Sequence, residues 1–302
     1  MSAVQTIPPG ETGYDQLLGF TIPLRHARGR VVRLGPVLDV VLSAHDYPPP
    51  IRHLLAEALV LTGLIGSLVK DDGSQLTIQA QTQGGIVELL ACDYRAGELR
   101  GYVRHDAERL ASLGANPSLY ALFGQAFLAI TFDEATSGQR YQGIVPLEGD
   151  SLSQACEAYF AQSEQVPTLI RTGVKWDGRH CIAAGLLAQH LAEGEEGRER
   201  LHVRLDHPEW EHVAVLSGSI RHEELVDPAL SLEAMVWRLL HEEQEVRVEQ
   251  LAHVSRGCRC SQEHYRAVLS RFADSELAEM RGDNGMISVD CAFCSKVFAL
   301  DL

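Results

Sequence analysis

The chain has 302 residues, 45% of them hydrophobic and 22% charged, with 41 acidic against 26 basic side chains and a formal net charge of −15. This is the composition of a globular protein with room for one large domain and a small one. So acidic a surface repels phosphate backbones, which speaks against nucleic acid as a partner. The longest apolar stretch, residues 54–69, is interrupted by Glu57 and is too short to span a bilayer.

In chain order, Met1 to Gln16 show neither a basic nor an apolar signal region, so a cytoplasmic protein is expected. Ile51, Leu54, Leu55, Ala58, Leu59, Leu61, Ile65 and Leu68 largely follow helical spacing, and Lys70-Asp71-Asp72-Gly73 stops the helix. This stripe reads as core, with a client-binding surface as the alternative. Alternation at Leu76, Ile78 and Ala80 predicts a strand ending at Gly84-Gly85, followed by strands over 86–94 and 98–105. Residues 127–132 and 140–147 predict a hairpin across Thr136-Ser137-Gly138. Ser151 and Gln154 suggest a capping box opening a helix with Leu152, Ala155, Cys156, Tyr159 and Phe160 on one face. Asp177-Gly178 between residues 168–176 and 179–187 predicts a hairpin with a two-residue turn. Strands and helices mix without βα alternation, so the fold class is α+β.

Beyond Leu191 the character changes. Glu193 to Arg200 is polar and charged, a plausible boundary, and two short helices are expected near Trp210–Ser217 and Leu232–His241. With few large apolar residues for its length, this segment should have low stability of its own. The expected organisation is a large mixed sheet and helix domain (1–192), a helical metastable linker (193–257) and a small C-terminal module (258–302). In the last, Ser261 caps a helix with Tyr265, Val268, Leu269 and Phe272; Asp283-Asn284-Gly285 turns into a strand with Ile287 and Val289; Val297 and Ala299 return as a second strand.

Four of the seven cysteines crowd those last 45 residues, as Cys258-Arg259-Cys260 and Cys291-Ala292-Phe293-Cys294, with thirty residues between the pairs. Two close pairs set apart in this way are the ligand layout of a tetrahedral S₄ zinc site. So short a module needs such a staple, worth roughly 10 kcal/mol or more in small zinc folds. A closed, inert zinc site is the simplest use of four cysteines. Three features point instead to a switch. The single spacer of Cys258-X-Cys260 leaves fewer backbone N–H groups to steady the sulfurs than a CxxC knuckle, so this half is expected to react first. Zinc clips the two halves together, whereas disulfides within each close pair would not, so oxidation of that kind would expel the metal and free the loop. Unfolding of the module would then undermine the weak segment before it and expose the surface that segment covers.

These residues resemble a known family. CxCS followed by CxxC near the C-terminus is similar to the heat shock protein 33 family of redox-regulated holdases. The likeness extends to Tyr141-Gln142-Gly143-Ile144-Val145, to the run from Ala158 to Thr168 (AYFAQSEQVPT), to Ala183-Ala184-Gly185-Leu186-Leu187-Ala188-Gln189 and to Leu239-Leu240-His241-Glu242-Glu243. The resemblance implies a cytoplasmic chaperone, zinc-bound and inactive when reduced. Peroxide with heat, or hypochlorous acid, would convert it to a disulfide-bonded form that binds unfolding proteins without ATP, dimerises, and later passes clients to ATP-dependent foldases. It implies one Zn²⁺ on Cys258, Cys260, Cys291 and Cys294, and disulfides Cys258–Cys260 and Cys291–Cys294. Arg256-Gly257 stand where relatives usually have an apolar or aromatic residue, and Arg256 and Arg259 are expected to stabilise the thiolates.

Other chemistries have little support. There is no GxxxxGK[ST] loop, no GxGxxG after a strand and no HExxH. His207 and His212 beside Trp210 are expected to be solvated surface residues, and Cys92, Cys156 and Cys181 small core hydrophobes. No catalytic residue is assigned. The alternative of another class is a thiol–disulfide oxidoreductase using Cys291 and Cys294, against which a strand is expected to lead into the motif where such enzymes open a helix. A zinc-ribbon nucleic-acid module is disfavoured by the charge.

Overall fold

The computed structural model describes residues 13–69, 71, 73–178, 180–191 and 207–301. The chain enters as two antiparallel strands, β1 (Gln16–Ile22) and β2 (Ala27–Leu34), and continues into helices α1 (Pro36–Leu42) and α2 (Pro49–Gly66). An antiparallel meander follows, β3 (Gln75–Thr82), β4 (Val87–Arg95) and β5 (Glu98–His105), then the short helices α3 (Ala107–Ala111) and α4 (Leu119–Phe123). The expected hairpin is β6 (Ala126–Asp133) with β7 (Arg140–Pro146). Helix α5 (Leu152–Tyr159) starts on Ser151, whose hydroxyl accepts from the Gln154 N–H. The Gln154 side chain turns back to the Asp150 N–H, so the box closes one residue earlier than expected.

Strands β8 (Thr168–Trp176) and β9 (Cys181–His190) form the second expected hairpin. Trp176 pairs with Cys181, so the connection is the four residues 177–180 and not a two-residue turn. Asp177 closes it twice: its N–H donates to the His180 carbonyl, and its carboxylate accepts from the His180 N–H.

One sheet has the order β8-β9-β2-β1 and the other β5-β4-β3-β6-β7. Helix α2 lies between them, buried almost all round, and this explains its nearly continuous apolar sequence. The stripe in residues 51–69 is therefore core. Gly185 allows the close approach of α2 to β9, since a Cβ there would stand 2.6 Å from Val60 Cγ1.

Side chains in the first sheet alternate between two cores. Leu17, Val32, Ala183 and Leu187 face α2, while Leu18, Phe20, Val31, Ala184 and Leu186 face the other way. That second face is covered by α6 (Pro208–Gly218), α7 (His222–Leu225) and α8 (Leu232–Leu240), which contribute Trp210, Val213, Leu225, Met235, Val236 and Leu240. The apolar residues of this segment are few, and they are spent on the sheet. After α8, β10 (Arg247–His253) adds antiparallel to the free edge of β1, and β11 (Ser255–Arg256) adds parallel to the edge of β5. Consecutive strands thus extend two different sheets. The expected boundary at Glu193 to Arg200 lies outside the described residues.

The C-terminal part holds α9 (Gln262–Leu269), α10 (Asp274–Met280) and the hairpin β12 (Ile287–Asp290) with β13 (Val297–Leu300). Phe272 falls beyond the end of α9. The architecture is a mixed α+β fold.

Candidate metal centre

Where β11 runs out, the Gly257 N–H donates to the Leu99 carbonyl, and Gly257 packs so closely on Glu98 that a Cβ would lie 2.4 Å from its neighbour. Past the strand end, the sulfurs of Cys258 and Cys260 lie 3.4 Å apart, while the Arg259 between them is directed at Asp93. Ser261 then caps α9 through the His264 N–H. The second pair sits on a turn between β12 and β13, in which the Cys291 carbonyl accepts from the Cys294 and Ser295 N–H groups. Ser295 takes a left-handed φ of 56° to complete that turn.

The elements bring the four sulfurs together. Cys258 Sγ lies 3.6 Å from Cys291 Sγ and Cys260 Sγ 3.5 Å from Cys294 Sγ, and all four lie within 4.8 Å of one another. A tetrahedral S₄ site with Zn–S bonds of about 2.3 Å separates its sulfurs by about 3.8 Å, so the cage has the size for a metal ion. Its electrostatics agree. Burial pushes the Cys258 and Cys260 thiols up. Burial also acts on Cys291, but hydrogen bonds from Tyr265, the Phe293 N–H and neighbouring thiols bring it down to about 7. Sulfurs packed so closely ionise together only with a cation between them. Among the described residues, this is the one group of His, Cys, Asp and Glu side chains with metal-holding geometry.

The cage is docked on the large sheet-and-helix body. Phe293 stands edge-on to Tyr102 at 4.9 Å, with the Arg100 guanidinium 4.1 Å over its ring. His45 Nε2 donates to the Ala292 carbonyl at 2.7 Å, and the Ser295 hydroxyl donates to the Ala44 carbonyl at 2.6 Å. Arg259 does not serve the thiolates as expected: its guanidinium is directed at Asp93, 3.7 Å away, which also holds Arg100. Arg256 is exposed on β11. Sequence reading missed His45, Asp93, Arg100 and Tyr102, which lie far away in the chain and carry no motif.

The remaining cysteines are core residues. Cys92, Cys156 and Cys181 are free and buried, and burial raises their thiols, the last to about 12. His207 accepts from the Glu209 N–H at the start of α6, and His212 pairs with Glu243 at 2.6 Å; they form no metal site. Cys291 and Cys294 lead from one strand into another, with no helix opening on the motif.

The profile of the family described as "Hsp33 protein" matches residues 15–301. The chain is 38% identical over 295 residues to the 33 kDa chaperonin of Caulobacter vibrioides (strain NA1000 / CB15N), covering 95% of each. It is 33% identical over 293 residues to the 33 kDa chaperonin of Yersinia pestis (strain Pestoides F), covering 96% of this chain and 93% of that one. The crystal structure of the Thermotoga maritima 33 kDa chaperonin, a heat shock protein 33 homolog, superposes with a TM-score of 0.77 at 19% identity over 95% of both chains, a likeness of fold. This chain belongs to the Hsp33 family of chaperones.

Proposed function

Taking the chain as an Hsp33-family chaperone, we propose that it is a redox-switched, ATP-independent holdase of the cytoplasm. Its parts are the chaperone core (1–192), the linker (193–257) and the switch module (258–302). Cys258, Cys260, Cys291 and Cys294 hold one Zn²⁺ in the reduced, silent state. The bound ion would keep the four sulfurs as thiolates and join two stretches of chain thirty residues apart.

Each close pair is oxidised by one peroxide: the O–O bond breaks, an S–S bond forms, two electrons pass from sulfur to oxygen, and two waters leave as two protons are taken up. The resulting Cys258–Cys260 and Cys291–Cys294 disulfides no longer join the halves. The module and then the linker come away, and the outer face of the first sheet receives unfolding proteins. Cys258 and Cys260 form the sensing half; both are half-buried, as is Cys294, while Cys291 is buried. The oxidised protein dimerises and yields its clients to ATP-dependent foldases.

The observation that carries this reading is the placement of β10 and β11. The strands that hold the linker down end two residues before Cys258, so loss of the cage removes their anchor. The test follows zinc release and suppression of a thermally unfolding client's aggregation together, during peroxide treatment at elevated temperature. Both should rise together and reverse with a dithiol; zinc retention with unchecked aggregation would reduce the cysteines to a staple. Reduction of insulin would mark the oxidoreductase instead, and the strand leading into and out of Cys291–Cys294 supports the holdase.

A further inference from the structure

A cleft of about 720 Å³ opens between α2, β8, the start of α5 and α7. At it stands Glu57, the acidic residue interrupting the apolar run of α2. Its Oε1 accepts from the Ser153 and Thr172 hydroxyls at 3.0 and 3.3 Å, and the one group that favours its ionised form by charge is His53 on the rim. Burial pushes this carboxyl above its ordinary range despite those bonds. A carboxylate held in this way is costly until a donor-bearing cation reaches it.

The other walls repeat the acceptor theme. His222, first residue of α7, gives its Nε2–H to the Val174 carbonyl at 3.2 Å and stands in the wall of the cleft. Asp150 adds a second carboxylate. The one arginine of the lining, Arg52, is engaged by its own partners, its Nε donating to the Tyr47 carbonyl and its guanidinium 5.9 Å from the Trp176 ring.

We propose that this cleft binds a small organic cation carrying several N–H donors, of which a diamine is the simplest, and that the bound cation holds α7 on β8. The second half follows from construction. The cleft has its full set of walls only while α7 is packed down, and that packing is tight: a Cβ on Gly173 would lie 3.0 Å from His222 Cδ2 and 3.3 Å from Val226 Cγ1. A ligand that binds only the packed form stabilises it by mass action, and at a hundred times its Kd should slow opening of α7 roughly 100-fold. The binding does not depend on the chaperone reading. If both hold, the cation delays activation.

The test is calorimetric titration of the reduced, zinc-loaded full chain with 1,4-diaminobutane at physiological salt, where weak attraction to the acidic surface is screened. One saturable site is expected, weakened at least roughly tenfold in Glu57→Gln, which loses the charge partner. His53 lies exposed on the rim, so His53→Trp covers the mouth without entering the core and should abolish the site even if Glu57→Gln does not fold. Binding that never saturates, or that survives His53→Trp unchanged, overturns the assignment. Hydrogen exchange of residues 222–226 at saturating diaminobutane decides the coupling. Slowed exchange in the native chain, absent in His53→Trp, supports it; unchanged exchange despite saturable binding overturns it.

Discussion

A single residue between Cys258 and Cys260 suffices to bring their sulfurs within 3.4 Å of each other just beyond β11. The Arg259 between them turns to Asp93, so one tripeptide both lines the cage and docks it. The cysteines were legible because their chemistry depends on spacing. The surface under them was not, since Phe293 reads as a loop aromatic until Tyr102 and Arg100 are found beside it. Two substitutions separate ligation from docking. Cys258→Ser removes a thiolate, so zinc affinity under reducing conditions should fall by more than the roughly 100-fold typical of an outer-shell change, as competition with a chromophoric chelator would measure. Phe293→Ala keeps all four sulfurs and loses the edge-on and cation–π contacts, together worth about 1.5 kcal/mol. Zinc affinity should therefore be nearly unchanged, while hydrogen exchange in residues 247–256 speeds up roughly tenfold.

At the scale of elements, the first sheet escaped sequence reading at its N-terminal end. The run Gln-Leu-Leu-Gly-Phe-Thr-Ile of β1 is buried on both faces, Leu17 toward α2 and Leu18 toward the covering helices, so it shows no period of two. The covering helices were half legible, α6 and α8 by their apolar residues, α7 too short to see. Polar ties fix them. The fully buried Arg33 on β2 donates through Nε to the Leu225 carbonyl and through Nη1 to the Leu230 carbonyl. Arg25, before β2, holds Glu209 of α6 and Glu243 beyond α8, and Glu243 also receives His212. Burial alone would raise the Glu243 carboxyl, but the bonds from Arg25 and His212 bring it below the ordinary glutamate value. A carboxyl depressed in the folded state contributes stability that is complete above its unfolded pKa and is lost as pH falls through the folded one. Protection of α6 and α8 against exchange should thus decline as pH drops below the ordinary glutamate range. Because acid would also act on the cage sulfurs, the diagnostic is the difference from Glu243→Gln, whose helices should be less protected at neutral pH and converge with the native chain in acid. Parallel curves for the two proteins would remove Glu243 from the docking.

In the proposed switch the order in which the whole molecule comes apart would be set by β10 and β11, which no local signal announced because both are polar, exposed edge strands. They run consecutively along the edges of two different sheets and lead straight into Cys258, so the segment is a strap drawn between the cage and the covering helices. An edge strand with no buried side of its own keeps its place through backbone pairing and through what its two ends are tied to. Freed at Cys258, it has one end left. Fixing the other end tests whether the strap, and not the cage, is what keeps the sheet covered. Thr21 and Arg247 are paired at the end of the β1–β10 ladder, and directly opposed residues there bring their Cβ atoms within disulfide range. In the Thr21→Cys, Arg247→Cys variant, joined before zinc loading, peroxide should still oxidise the cage and release zinc at the native rate. Suppression of client aggregation should fail to appear until a cross-link-cleaving reductant is added. Full holdase activity with the cross-link intact would mean that clients bind elsewhere, the exposed outer face of the second sheet with Phe127 and Ile144 being the next place to look. The chain's net charge of −15 fits the first outcome, because a protein that uncovers a sheet face this apolar stays in solution only if the rest of its surface repels its own kind.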